Sequence, residues 1–185
     1  MQPFHVLDCC LVSNGGVAVI VTTPERARDL KQPPVYVRGF AQAHNNDAGL
    51  SGNDAMIHTP AAKSGPRALA MADASLGDVT QCQIYDCYTY TVLVSLEDYG
   101  FCKKGEGGAF VADGKLAPGG KLPTNTGGGE LSAYYMWGMT PVAEAVIQGR
   151  GQGGDRQAPN DLILVSGNGG VLNYHATLVL SPHAS

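Results

Sequence analysis

The sequence predicts an α/β protein, a mixed five-stranded sheet layered with helices, and three observations carry that expectation. Short apolar, β-branched runs alternate with segments of helical spacing. The chain then closes on two such runs joined by a glycine-rich turn, the pattern of a strand pair. The 25 glycines gather in short runs (105–108, 127–129 and 167–170) instead of spreading as a flexible linker would, so they mark turns where backbone approaches backbone or ligand. At 185 residues and 44% hydrophobic content, the chain is long enough for one sizeable core.

The first expected strand is residues 17–23, an apolar β-branched run after the turn at 13–16. Thr23-Pro24-Glu25 then has the cap-then-proline form of a short helix start. Residues 35–41 form the second strand, behind a Pro33-Pro34 pair that stops any helix, and a polar loop with Asn45, Asn46 and Asp47 follows. Residues 64–76 are rich in helix formers, with Pro66 in the first turn and Gly77 as the stop. Residues 81–85 make the third strand, and 89–99 repeat apolar side chains at helical spacing (Val92, Leu93, Leu96, Tyr99) up to Gly100. This order puts Tyr85, Asp86 and Cys87 at a strand's C-terminal end. Residues 122–130 are expected as loop, 140–148 as a helix with Thr140 and Pro141 at its start, and 149–160 as a surface loop. The last two strands are 161–166 and 176–181.

Net charge is -4 with no block of like charges, so the basic footprint of a nucleic-acid binder is absent. No apolar stretch approaches the length that crosses a bilayer, and a cytoplasmic protein without membrane partners is the expectation. Cys9, Cys10, Cys82, Cys87 and Cys102 are an odd set without Cys-x-x-Cys pairs, which points to reduced thiols and not to a zinc knuckle or disulfide framework. His44 and His58 fall in a polar loop with no partner at metal-ligand spacing, so no metal is expected. The Lys103-Lys104 pair is expected to be solvated, contact with a phosphate being the alternative.

Four landmarks stand in order along the chain: Asp8-Cys9-Cys10 leading into the run at 11–19, Tyr85-Asp86-Cys87-Tyr88, the stretch from Asn125 through Gly127, Gly128 and Gly129 to Gly138, and Val165-Ser166-Gly167-Asn168-Gly169. On these the chain resembles the thiolase superfamily, of the lipid-transfer-protein or sterol-carrier-protein type, over essentially its whole length. Tyr85 to Tyr88 sit where thiolases have Asn-Glu-Ala-Phe and the sterol-carrier branch His-Asp-Cys-Phe; the stretch from Asn125 sits where they have Asn-x-x-Gly-Gly through Gly-His-Pro. The resemblance implies a thiolase-like C-terminal half, with residues 1–30 closing the N-terminal half-domain and 31–185 forming the C-terminal one. Aligned from Asn125, the histidine position holds Tyr135 and the second cysteine position holds Val165. Val165 moves no proton, so ordinary thiolysis is not expected.

Two tyrosines, Tyr85 and Tyr135, then occupy functional positions of an acyl-thioester site, as in the thiolase-fold aldolases of steroid side-chain degradation. The implied activity is retro-aldol cleavage of a β-hydroxyacyl-CoA to a ketone and a shorter acyl-CoA. The alternatives are a thiolase-like acyltransferase and a non-catalytic acyl-CoA- or lipid-binding subunit. Tyr85 and Tyr135 are the expected catalytic pair, base and donor undecided between them, with Tyr134 one residue from the second position. Asn125, Gly128, Gly129, Gly167 and Gly169 are the expected substrate-binding residues, and coenzyme A enters as substrate, with no further cofactor. Asp86 and Glu130 either orient the tyrosines or accept backbone hydrogen bonds in tight turns. Tyr174 and His175 are expected to start the last strand, lining the pocket being the alternative. The resemblance also implies an N-terminal thiolase half and an OB-fold zinc-ribbon acyl-CoA-binding partner; because the chain alone would expose an apolar face meant for that half, a homodimer or a recruited partner is expected.

Overall fold

The computed structural model describes residues 3–45, 56–170 and 172–184. Asn46 and Asp47, expected in a loop, lie outside them. One sheet organises the chain. Its strands are β1 (Tyr36–His44), β2 (Gln81–Ile84), β3 (Ile163–Gly169) and β4 (Tyr174–Ser181), in the order β1-β4-β3-β2. β1 and β3 both run antiparallel to β4, while β2 runs parallel to β3, with Gln81 opposite Ile163 and Ile84 opposite Ser166.

The helices are α1 (Pro24–Arg28), α2 (Ala61–Met71), α3 (Thr89–Tyr99), α4 (Gly107–Val111), α5 (Gly129–Ser132) and α6 (Met139–Gly149). Side chains alternate across β3 as a pleated strand requires. Leu164 joins Ala68, Leu69, Ile84, Leu96 and Val179 in the core under α2 and α3. Ile163 and Val165 face the other way, to a smaller cluster with Ala145 of α6 and Leu180. β3 is thus covered on both faces, which explains its uninterrupted apolar run. Gly39 lets α2 lie on the sheet: a Cβ there would come within 2.0 Å of the Ala68 carbonyl oxygen.

The sheet has four strands, not the five expected. Residues 17–23 have strand composition but pair with no strand among the described residues; Ile20 is 87% exposed and Val21 84%. A strand is defined by its partner, and composition alone supplies none. α2 starts and ends earlier than 64–76. Thr59 Oγ1 accepts the Ala61 N–H at 3.2 Å, which opens the helix ahead of Pro66. It closes where Asp73 turns left-handed (φ 51°) and the Ala74 N–H bonds back to Leu69 O. α3 has the expected bounds, stopped by Gly100 (φ 92°) with the Phe101 N–H on Leu96 O. α4 and α5 arise inside glycine-rich stretches expected as turns or loop.

Candidate active site

Tyr85 follows the last residue of β2. Its N–H donates to Ser166 O of β3 at 2.9 Å, and its carbonyl accepts Thr91 Oγ1 at 3.1 Å. The ring is therefore fixed at the sheet's C-terminal edge and is largely buried. Tyr135 follows α5, where its N–H donates to Ser13 Oγ at 2.8 Å. The two phenol oxygens lie 2.8 Å apart, with ring centroids 6.3 Å apart and the planes tilted by 55°. Tyr135, not its neighbour Tyr134, meets Tyr85: the Tyr134 carbonyl accepts Thr140 Oγ1 at 3.3 Å.

The pair is not symmetric. Burial pushes the Tyr85 phenol up, and its hydrogen bond to Tyr135 pushes it further. Tyr135 is also raised by burial, but the bond from Tyr85 works in the opposite direction. Either hydroxyl can donate to the other, and the shared bond gives whichever phenol ionises a donor at 2.8 Å.

Asn125 does not point an open amide at the pair. Its Nδ2 donates to Ile84 O at 2.9 Å and its Oδ1 accepts the Ile84 N–H at 2.7 Å, so it finishes the edge of β2 from a left-handed backbone (φ 53°). Gly128 (φ 94°) and Gly129 (φ 60°) form the turn into α5, and a Cβ on Gly129 would fall 2.1 Å from Asp86 Oδ2. Gly167 follows Ser166, the residue whose carbonyl holds Tyr85, and pairs with Ala176. Gly169 pairs with Tyr174 at the end of the β3–β4 hairpin.

Asp86 and Glu130 exchange backbone hydrogen bonds. The Glu130 N–H donates to Asp86 Oδ1 at 2.7 Å and the Asp86 N–H donates to Glu130 Oε2 at 3.0 Å. Of their two expected roles the geometry displays the turn-holding one, and it does so directly beside Tyr85. The neighbouring main chain of residues 10–11 closes over this turn: the Cys10 N–H reaches Cys87 O at 3.0 Å and the Leu11 N–H reaches Glu130 O at 2.9 Å. Ser13, Cys10 and Cys87 enter the site through these contacts; they belong to the first two landmarks, though no role was expected of them individually. A cavity of about 20 Å³ behind the turn, lined by Gln83, Asp86, Asn125, Tyr134 and Glu144, is too small for any acyl group.

Tyr174 opens β4 as expected. His175 is buried and bonded through Nε2 to Ser166 Oγ (2.8 Å) and Tyr99 Oη (3.0 Å). His44 ends β1 and stacks edge-on against Tyr174, so it belongs to the sheet and not to a loop. His58 lies 3.5 Å from Asp98, and Lys104 pairs with the same carboxylate at 2.7 Å. Val165 is packed under α6. Among the described residues no group of three or more His, Cys, Asp and Glu side chains is arranged to hold a metal ion, and no helix is long and apolar enough to cross a membrane.

A parallel β2–β3 pair flanked by an antiparallel β4, with motif loops converging at its C-terminal edge, defines a thiolase-type half-domain. Residues 41–182 match the family described as thiolase C-terminal domain-like, and the chain belongs to that family. It is 38% identical over 182 residues to a steroid side-chain-cleaving aldolase of Thermomonospora curvata, and 38% identical over 179 residues to a 17-hydroxy-3-oxo-4-pregnene-20-carboxyl-CoA lyase of Mycobacterium tuberculosis. Each match covers 92% of this chain and 45% of the relative. The chain therefore spans about half the length of these curated relatives. Among solved structures it is similar to an Ltp2-ChsH2(DUF35) aldolase, with a TM-score of 0.89 and 36% identity over 98% of this chain and 48% of that one.

Proposed function

We propose that this chain is the tyrosine-bearing half of a thiolase-fold aldolase that cleaves a β-hydroxyacyl-CoA, a steroid side chain being the class its named relatives suggest. The observation that carries the reading is the 2.8 Å contact between the Tyr85 and Tyr135 hydroxyls, at the edge where thiolases place their catalytic loops. One phenol of the pair, ionised and held by the hydroxyl of the other, takes the proton of the substrate β-hydroxyl and becomes neutral. The Cα–Cβ bond breaks, its electron pair moves into the thioester as an enolate, and a ketone leaves. The proton then returns to Cα, so ketone and shorter acyl-CoA form with no co-reactant, and coenzyme A takes part as substrate alone. The backbone of Gly128, Gly129, Gly167 and Gly169 forms the wall against which the thioester lies, while Asn125 acts through β2.

Acyl transfer of the thiolase kind is disfavoured by Val165, which packs in the core and cannot transfer a proton. Residues 1–30 are assigned to the end of the N-terminal half-domain and 31–185 to the C-terminal one. The exposed apolar side chains Val12, Ile20 and Val21 fit that division, because they form the kind of surface an N-terminal thiolase half covers. A homodimer, an OB-fold zinc-ribbon partner that delivers the acyl-CoA, and a cytoplasmic location, which the five free cysteines suit, complete the reading.

The test supplies the full chain with an N-terminal thiolase half and measures ketone and shortened acyl-CoA released from a β-hydroxyacyl-CoA. Wild type releases both, and Tyr85→Phe and Tyr135→Phe each slow release by about 100- to 1000-fold, the loss typical of a well-placed donor to a developing oxyanion. Bound acyl-CoA without release would leave a binding subunit.

A further inference from the structure

The cleavage as derived leaves one buried acid beside the tyrosine pair without a task. Glu130 is fully buried. Its Oε2 accepts the Asp86 N–H, and among the described residues its Oε1 is buried without a hydrogen-bond partner. The ionisable groups around it are Asp86 and Cys87 from the loop after β2, Tyr85 at the end of β2, Tyr135 after α5, and Cys10 from the N-terminal segment. None of these is a cation.

Two carboxyls that share a buried turn without a cation are stable when one of them keeps a proton. Hydrogen bonds decide which. Asp86 receives the N–H of Glu130 at 2.7 Å and that of Leu131 at 3.5 Å, which favour its charge against the burial that opposes it. Glu130 receives one N–H and carries an oxygen with no donor. The proton therefore belongs to Glu130. Burial, and next the charge of Asp86, push its carboxyl up to about 8.

We propose that Glu130 is a positioning residue that gates the tyrosine pair by charge: neutral, it holds Asp86 and so Tyr85 in place, and ionised, it sets a negative charge beside Tyr85 and Tyr135 that suppresses their acid–base work. The consequence for cleavage rests on the aldolase reading; the effect on the phenols does not. A phenolate and a thioester enolate are both anions, so an ionised Glu130 opposes the formation of each. Turnover falls by about tenfold or more as pH rises through about 8.

The experiment is NMR of the full chain labelled at the tyrosine Cζ and glutamate Cδ carbons, titrated in wild type and Glu130→Gln. The glutamine keeps the size and an acceptor for the Asp86 N–H but cannot ionise. The expected result is one glutamate signal titrating near pH 8 in wild type, with a step at the same pH in the Tyr85 and Tyr135 signals that is absent from Glu130→Gln. Tyrosine signals are assigned by their loss in the two phenylalanine variants. Glutamate signals that all titrate below about 5.5, the ordinary range for the residue, overturn the proposal without needing any variant. A tyrosine step that persists in Glu130→Gln overturns it as well. Ketone release separates the two readings. If neither protein cleaves but the step appears and is lost in the variant, the aldolase reading fails and the gate stands. If wild type cleaves with a falling alkaline limb that Glu130→Gln retains, the gate fails and the aldolase reading stands.

Discussion

The side-chain amide of Asn125 bonds both backbone groups of Ile84, donating to its carbonyl at 2.9 Å and accepting its N–H at 2.7 Å. The side chain continues, by one residue, the pairing that residues 123–125 make with Cys82 along the edge of β2. It transmits its own position to Tyr85, one residue further on.

Replacing Asn125 with alanine leaves two backbone groups of Ile84 without these partners. The expected loss is on the order of 2 to 4 kcal/mol in unfolding free energy, as for two buried groups deprived of hydrogen bonds. Chemical denaturation checks it. Asn125→Asp, which keeps the acceptor and lacks the donor, should fall between wild type and alanine.

Gly129→Ala combines two penalties. The position has φ 60°, and the added methyl would lie 2.1 Å from the Asp86 carboxylate. The Asp86–Glu130 exchange cannot survive that overlap, so the variant should lose on the order of 2 to 3 kcal/mol and separate the two tyrosines. Thermal unfolding measures the first effect, and loss of ketone release with folding retained would report the second.

Acid should destabilise the protein through His175. Burial lowers its imidazole to about 4 in the folded chain, and its Nδ1 has no partner among the described residues. The unfolded chain, with a histidine near ~6.5, binds more protons in this window, so stability rises with pH. The contribution is fully present above ~6.5 and is lost as pH falls toward 4, on the order of 3 kcal/mol in all. Denaturation midpoints across that range test it, and His175→Gln should flatten the acid limb.

Gly39→Ala tests the seat of α2. Its Cβ would meet the Ala68 carbonyl oxygen at 2.0 Å, and backbone on both sides leaves no flexible group to yield. A loss of roughly 2 to 3 kcal/mol is expected, the scale of overpacking in a close-packed interior. Unfolding in urea gives the number.

Local signals explain which parts of this architecture can be read from residues alone. α3 was legible because Gly100 ends its apolar repeat with a left-handed cap, and β3 because it opens on a short apolar run. Residues 17–23 mislead because strand composition carries no information about a partner. α5 is hidden because its first residue is the last of three glycines, which ordinarily disfavour a helix. In the site, the Tyr85–Tyr135 pairing follows from the family resemblance, since fifty residues of chain separate the two and no spacing rule joins them. The reciprocal bonds of Asp86 and Glu130 join groups 44 residues apart, and only the fold shows which groups they serve.

The sheet order also sets when the site can exist. β2 is held by β3, which begins 82 residues after the first residue of β2. Such distant pairing forms slowly, because a long loop must close before any contact offsets its entropy. During synthesis both tyrosines are added to the chain before the strand that anchors Tyr85 has been made. Their hydroxyls meet only after β3 arrives, so an incomplete chain is born without the site.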